Sequence, residues 1–145
     1  MEAKLTEDDY IKAYDIAFKA HKGQTRWNGE PYITHPTNVA KEINHLKLKI
    51  IAILHDVLED TTVTLKELQQ RFPEDITMPL QLLTHEKSES YAQYIHKIKF
   101  KNLGRPSWNG LAEIVKIFDL MDNLKDLKQK QRRGKYELAL LYLRR

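Results

Sequence analysis

The chain has 145 residues, of which 41% are hydrophobic and 30% charged, with a formal net charge of +4 and no cysteine. This length and composition predict one globular domain with a core of its own. They exclude disulfides and thiolate zinc sites, and no apolar run approaches the roughly 20 residues of a membrane span. The N-terminus lacks the basic-then-apolar order of a signal peptide, so we expect a cytoplasmic protein.

Helical spacing of apolar residues dominates the chain from end to end. Thr6 followed by three acidic residues predicts a helix over residues 6–21, and a glycine-containing loop then leads to a second helix from Pro36 to about 45. Further helices are predicted over 48–58, 64–72, 74–83 with Pro79 inside, 90–100, from Trp108-Asn109-Gly110 to about 129, and after Gly134 over 135–143. No β-type alternation or internal repeat is present. We therefore predict an all-α, single-domain bundle of seven or eight helices over residues 1–145.

The net positive charge is concentrated near the C-terminal end. The basic residues there are Lys125, Lys128, Lys130, Arg132, Arg133, Lys135, Arg144 and Arg145. They are typical of a solvated helix pair, and the alternative is contact with an anionic ligand or RNA. No aromatic residue interleaves with them before Tyr136, so the stacking surface of a single-strand-binding protein is missing. We expect no nucleic acid partner.

The third predicted helix has the most informative composition. Five apolar residues, Ile50 to Leu54, run directly into His55-Asp56, and Glu59-Asp60 follow about one turn later. A helix this apolar should be buried, and its four ionisable groups cannot all be buried unpaired. The simpler alternative is a core histidine bonded to a neighbouring carboxylate. A bound cation, or a water-filled cleft that holds one, would also resolve these charges.

Two further residues extend this pattern. His35 precedes Pro36 at the junction of a loop and a helix, where a turn residue is the ordinary interpretation. Asp119 lies at the edge of the apolar face of the long helix, where a solvated acid paired with Lys116 is the ordinary interpretation. Together with His55-Asp56 they supply two imidazoles and two carboxylates, a mixed donor set that suits a divalent transition ion.

Four stretches of the chain carry a family resemblance when they are taken in this order. They are Ala20–Arg26 (AHKGQTR), Gly29–Pro36 (GEPYITHP), Leu54–Thr61 (LHDVLEDT) and Val115–Asp119 (VKIFD). They resemble the HD-domain superfamily and, within it, the hydrolase domain of RelA/SpoT-type alarmone enzymes and the small alarmone hydrolases. The similarity runs from about residue 8 to 128.

The resemblance implies an activity and a set of site residues. It implies removal of the 3′ pyrophosphate of guanosine tetra- and pentaphosphate, (p)ppGpp. The implied ligands of a manganese ion are His35, His55, Asp56 and Asp119. The implied catalytic pair, which positions or activates the attacking water, is Glu59 and Asp60. The predicted substrate-binding residues are Lys22, Arg26, Trp27, Asn28, Tyr32 and Asn123, of which Arg26 and Asn123 match nucleotide contacts of the family.

Three positions depart from the family pattern. Trp27 stands where a lysine commonly follows the loop arginine, Leu120 stands for an arginine, and Asp122 stands for a histidine. The ligands and the acidic pair are retained, so we predict a metal-dependent phosphohydrolase, foremost a (p)ppGpp 3′-pyrophosphohydrolase. A nucleotide phosphohydrolase of other specificity and a non-catalytic nucleotide- or RNA-binding module are the alternatives. We expect a nucleotide as partner, a possible homo-oligomer, and no bifunctional enzyme, because no synthetase domain follows.

Overall fold

Nine α-helices make up the part of the chain that the computed structural model describes, residues 4–145. The first three residues, part of the N-terminal stretch in which we expect no signal peptide, lie outside it. The helices are α1 (Glu7–Ala20), α2 (Thr34–Lys41), α3 (Leu46–Leu54), α4 (Val57–Asp60), α5 (Leu65–Gln69), α6 (Glu74–Leu82), α7 (Tyr91–Phe100), α8 (Pro106–Asp126) and α9 (Lys130–Leu143). The predicted all-α fold is confirmed. No helix in the described range combines the length and apolarity that crossing a membrane requires.

The apolar helix α3 lies at the centre of the fold. It packs against α1, α2, α6 and α8, and residues 50–54 are completely buried. A helix that is hydrophobic on all sides is stable in water only when neighbours cover every side. The tight packing carries the C-terminal end of α3 into the interior, and with it the polar residues that follow. Pro79 lies buried inside α6, whose course continues past it to Leu82.

The predicted continuous helix over 48–58 is wrong in one respect, because the structure interrupts it at His55 and Asp56. Asp56 has φ −102° and ψ −1°. The backbone N–H of His55 bonds to the carbonyl of Ala52, three residues earlier, whereas a regular α-helix would pair it with the carbonyl of Ile51, four residues earlier. Adjacent side chains on a regular helix point about 100° apart. The interruption removes this constraint and lets the two neighbouring side chains approach each other.

The predicted boundary between the last two helices is also wrong. Gly134 lies inside α9, and the chain turns earlier, between Leu127 and Gln129. The guanidinium of Arg133 donates to the carbonyls of Leu124 and Leu127, both at 2.7 Å, and thereby satisfies free carbonyls at the end of α8. A glycine inside a helix lowers the stability of that helix by only about 1 kcal/mol relative to alanine, so Gly134 does not have to end α9.

The predicted loop between α1 and α2 forms a tight hairpin. Residues Thr25 and Pro31 form an isolated antiparallel bridge, and the backbone N–H of Gly29 bonds to the carbonyl of Arg26 at 2.9 Å. Gly29 has φ +88°, a conformation that residues with a Cβ rarely adopt. The hairpin folds the chain back, so that Arg26 and Tyr32 both approach the end of α3.

Candidate metal centre

Four polar side chains from distant parts of the chain meet at the end of α3. One donor atom from each of His35, His55, Asp56 and Asp119 lies within 4.8 Å of the others. The Nε2 atom of His55 is 3.0 Å from Asp56 Oδ2 and 3.1 Å from Asp119 Oδ1. Two donors set at right angles, each about 2.1 Å from one ion, would be about 3 Å apart. The arrangement fits a divalent metal, and that these residues bind one remains a prediction.

Both histidines present the same nitrogen to the cluster. The Nδ1 atom of His55 is 2.6 Å from the carbonyl of Ala52, which can only accept a hydrogen bond, so Nδ1 carries the proton. The Nδ1 atom of His35 is 2.7 Å from Asp122 Oδ2 and donates to that carboxylate. In the neutral ring, each Nε2 lone pair is then directed at the cluster, as a metal ligand requires.

Both carboxylates of the cluster are held from outside it. The hydroxyl of Tyr32 donates to Asp56 Oδ2 at 2.6 Å, and the Nζ atom of Lys116 donates to Asp119 Oδ2 at 2.8 Å. The amide of Asn123 also donates to Asp119 Oδ1 at 3.2 Å. Asp119 is therefore not a solvated acid on a helix face, but a buried one paired with a partly buried lysine. Tyr32, which we predicted to contact substrate, is bonded to a predicted metal ligand instead.

The charges of the cluster shift the pKa values of its members. Burial acts to lower the pKa of His55, but Asp56 and Asp119 outweigh it and raise that pKa well above its usual range. Burial acts to raise the pKa of Asp119, but Lys116 and His55 outweigh it and hold that pKa well below its usual range. The metal-free cluster is therefore stabilised by protons on its imidazoles, which a cation would displace.

The predicted catalytic acids lie on α4, one turn beyond Asp56. Glu59 accepts a hydrogen bond from the backbone N–H of His85 at 2.7 Å. Desolvation, followed by the charges of Asp56 and Glu59, raises the pKa of Asp60 to about 7. The pKa of Glu59 is also raised, chiefly by desolvation. A carboxylate with a pKa near the working pH is suited to accept a proton from water.

The hairpin places Arg26 directly behind the cluster. Arg26 is only 6% exposed, and its Nη1 atom is 3.3 Å from Asp122 Oδ2, the carboxylate that holds His35. Its Nη2 atom donates to Asn123 Oδ1 at 3.4 Å. The neighbouring Trp27 is 47% exposed, and the guanidinium lies 5.7 Å from its ring centroid. The structure thus brings Arg26 and Asn123 to the cluster and leaves an open indole beside them.

Two other predicted substrate-binding residues are not brought to the cluster. The amide of Asn28 donates to Asp126 near the end of α8 at 3.3 Å. Lys22 is exposed, and its side chain makes no hydrogen bond or ion pair with any residue in the described part of the chain.

Sequence reasoning missed three residues that support the site. The sequence places Asp122 on one polar stripe of the helix with Asp119 and shows it as a departure from the family motif, but neither observation indicates that it bonds to His35. Lys116 was assigned to a solvated pair because the depth of the helix face was unknown. The contribution of His85 is its backbone N–H, for which a sequence contains no signal.

Comparisons with known proteins identify the family of this chain. The sequence matches the family described as HD domain over residues 13–101. It is 36% identical over 133 residues to the guanosine-3′,5′-bis(diphosphate) 3′-pyrophosphohydrolase of Aquifex aeolicus, covering 83% of this chain and 18% of that protein. It is 32% identical over 130 residues to the guanosine-3′,5′-bis(diphosphate) 3′-pyrophosphohydrolase MESH1 of Xenopus tropicalis, covering 82% of this chain and 69% of that protein.

Longer relatives and a solved structure complete the comparison. The chain is 38% identical over 106 residues to the bifunctional (p)ppGpp synthase/hydrolase SpoT of Escherichia coli, and spans 15% of its length. A solved structure described as a metazoan ortholog of SpoT that hydrolyses ppGpp matches 97% of this chain and 88% of its own, with a TM-score of 0.75 and 21% identity. That likeness shows the shared fold. The chain therefore belongs to the HD-domain family and is homologous to the (p)ppGpp hydrolases SpoT and MESH1.

Proposed function

We propose that residues 1–145 form a single HD hydrolase domain that acts in the cytoplasm as a metal-dependent (p)ppGpp 3′-pyrophosphohydrolase. The observation that carries this proposal is the convergence of two imidazoles and two buried or half-buried carboxylates one turn from an acidic pair. The names of the relatives support the same activity. The acidic pair also argues against a module that only binds nucleotide or RNA.

We further propose that His35, His55, Asp56 and Asp119 bind one divalent ion, and that this ion is manganese. Imidazole and carboxylate donors suit several divalent metals, and the general affinity order does not favour manganese. The choice of manganese therefore rests on the family resemblance. A bound ion would lower the pKa of a water molecule and offset the charge of phosphate oxygens.

The acidic pair would manage the proton of the attacking water. Asp60, with a pKa raised to about 7, is suited to take that proton, and Glu59 is fixed by His85 in a position to orient the water. The water oxygen bonds to the phosphorus attached to the ribose 3′ oxygen, the bond from that phosphorus to the 3′ oxygen breaks, and pyrophosphate leaves. The 3′ oxygen takes up a proton.

Nucleotide recognition is assigned to the hairpin and to α8. The exposed indole of Trp27 offers a face on which a purine can stack. Lys22 and Arg26 would offset substrate charge, and the amide of Asn123 would supply a donor and an acceptor. Asn28 and Tyr32 complete the proposed set, Tyr32 by positioning Asp56.

One observation favours a second candidate, a nucleotide phosphohydrolase of other specificity. Arg26 is already paired with Asp122, and Leu120, which replaces an arginine of the family motif, is completely buried. Two cationic groups of the family pattern are therefore not presented to a phosphate in the same way. The metal centre would be unchanged in this second candidate, and only the accepted nucleotide would differ.

A substrate panel with product identification separates the two candidates. The protein is freed of metal, supplied with Mn²⁺ or with buffer, and mixed with ppGpp, pppGpp, and guanosine and adenosine nucleotides that lack a 3′ pyrophosphate. We expect manganese-dependent release of pyrophosphate from ppGpp, and none from the Asp56→Ala variant. Hydrolysis of another nucleotide with ppGpp untouched would support the second candidate, and no hydrolysis of any nucleotide would contradict both.

A further inference from the structure

A wide apolar groove runs between α7 and α9, lined by neither the proposed metal ligands nor the acidic pair. Its volume is about 1510 Å³, larger than the roughly 300–1,000 Å³ of typical small-molecule sites. Its apolar lining residues include Ala92, Ile95 and Phe100 from α7 and Leu138, Leu141 and Tyr142 from α9. The size and the open shape indicate a macromolecular ligand rather than a metabolite.

The apolar side chains of the groove are exposed to an unusual degree. Phe100 is 58% exposed, Leu138 is 70% exposed and Leu141 is 68% exposed. Single exposed apolar residues are ordinary, but a contiguous group of them marks a surface that another molecule covers. Leu138 and Leu141 lie three residues apart on α9 and line the groove together with Phe100 of α7, whereas Ile95 of α7 is buried. A third helix can pack its apolar side chains into a groove between two helices.

The charged rim of the groove specifies the character of that helix. Among the described residues, the cations that line it are Lys97, Lys101, Lys135 and Arg145, against a single acid, Glu89. Glu89 is already paired with Lys97 at 2.7 Å. The other three cations form no ion pair within the described part of the chain. An acidic ligand would therefore gain complementary charge along the rim, which favours association and selects against basic partners.

We propose that this groove docks an amphipathic helix of a partner protein, apolar on one face and acidic along both flanks. A second copy of this chain would bring the same cations against one another. A flat anionic membrane would touch the rim but would not fill the space between the two helices. The proposal does not depend on the hydrolase activity.

The probe is a synthetic helical peptide of about 18 residues, roughly 27 Å long at 1.5 Å per residue, with leucines on one face, glutamates on both flanks and alanines elsewhere. Binding to the full chain is measured by fluorescence anisotropy and calorimetry at low and high salt. We expect saturable binding that the double variant Leu138→Gln/Leu141→Gln weakens by about tenfold or more. Ile11→Gln, which changes a similarly exposed apolar residue on α1, should leave binding unchanged.

A second peptide, with lysine in place of every glutamate, tests the charge argument. It should bind several-fold more weakly than the acidic peptide, and the difference should shrink as salt rises. Absence of binding, or equal binding of the two peptides, would overturn the proposal. So would a dimer in sedimentation equilibrium that the double variant dissociates, or phosphatidylserine vesicle binding that the double variant abolishes. Circular dichroism establishes that each variant is folded.

Discussion

Replacing Asp122 by asparagine tests the support of the proposed metal centre most directly. The Asp122 carboxylate is buried, 2.7 Å from His35 Nδ1 and 3.3 Å from Arg26 Nη1. Both donors contact the same oxygen, Oδ2, so asparagine keeps the size of the side chain and an oxygen that can accept from them, but it removes the negative charge. The charge-assisted bond that directs the Nε2 atom of His35 at the cluster is then lost, and the guanidinium of Arg26 is left buried without a counter-charge.

The expected size of the effect follows from the bonds that are lost. A hydrogen bond that involves a charged group contributes about 1.5–3 kcal/mol. Loss of the partner of a metal-binding histidine typically weakens metal affinity by about 10–100-fold. At about 1.4 kcal/mol per tenfold, the second estimate is about 1.4–2.8 kcal/mol and agrees with the first. We therefore expect Asp122→Asn to bind Mn²⁺ about 10–100-fold more weakly than the wild-type protein does.

Isothermal titration calorimetry with Mn²⁺ measures this affinity without reference to activity. Asp126→Asn is the matched control, because Asp126 lies one turn further along α8, is exposed, and bonds to Asn28 instead of a histidine. It should bind Mn²⁺ as the wild-type protein does. Equal affinities for Asp122→Asn and the wild-type protein would contradict the role of Asp122, and a wild-type protein that binds no divalent ion would contradict the metal centre itself.

Asp56→Ala should abolish metal binding and turnover together, as calorimetry and a pyrophosphate-release assay would show, because it removes a proposed ligand. Asp60→Asn should retain the metal and lose about 10²–10⁴ in kcat, because it removes the proposed proton acceptor; full activity would transfer that role to Glu59. Glu59→Gln should also lower kcat, because Glu59 is proposed to orient the attacking water. Arg26→Ala should raise KM for ppGpp, and an unchanged KM in steady-state kinetics would remove it from the substrate site. Mn²⁺ affinity should fall as pH falls, and Mn²⁺ binding should release protons, because Asp56 and Asp119 raise the pKa of His55 by more than burial lowers it. Calorimetric titrations at several pH values and in buffers of different ionisation enthalpy measure both effects. Without metal, the raised pKa of His55 increases the free energy of unfolding below about pH 6.5, and this stabilisation is lost as pH rises through the pKa of His55 in the folded state. Thermal melts at several pH values test the direction of this change.

The helices were predictable because their apolar spacing is regular and their ends carry clear signals. Thr6 and Thr64 precede helices that begin at the next residue, as their capping positions indicate. The interruption at His55 was not predictable, because an apolar run has the same spacing whether or not the helix continues past it. Gly134 predicted a helix boundary that the structure does not have. The true boundary is fixed by the contacts of Arg133 with the end of α8, which are made only in the folded chain.

The sequence predicts the residues of the candidate site but not the residues that hold them in place. His55, Asp56 and Asp119 stand out because polar residues that adjoin apolar runs require an explanation, whereas His35 is indicated chiefly by the family resemblance. The bond from His35 to Asp122 spans 87 residues of chain, and no local pattern encodes it. The ion pair of Arg26 with the same carboxylate compensates the burial of its charge, although the sequence alone suggests a solvated cation in a loop. Tertiary contacts therefore decide which polar residues touch a ligand and which hold another residue in place.

Every proposed ligand has its own support: Asp122 holds His35, the Ala52 carbonyl holds His55, Tyr32 holds Asp56, and Lys116 holds Asp119. Such a cage is preorganised, so an arriving ion does not have to order flexible side chains, and more of its coordination energy appears as affinity. Loading and exchange of the proposed ion would then require the displacement of protons and water rather than a rearrangement of helices. We therefore expect the fold to persist whether or not the proposed ion is bound.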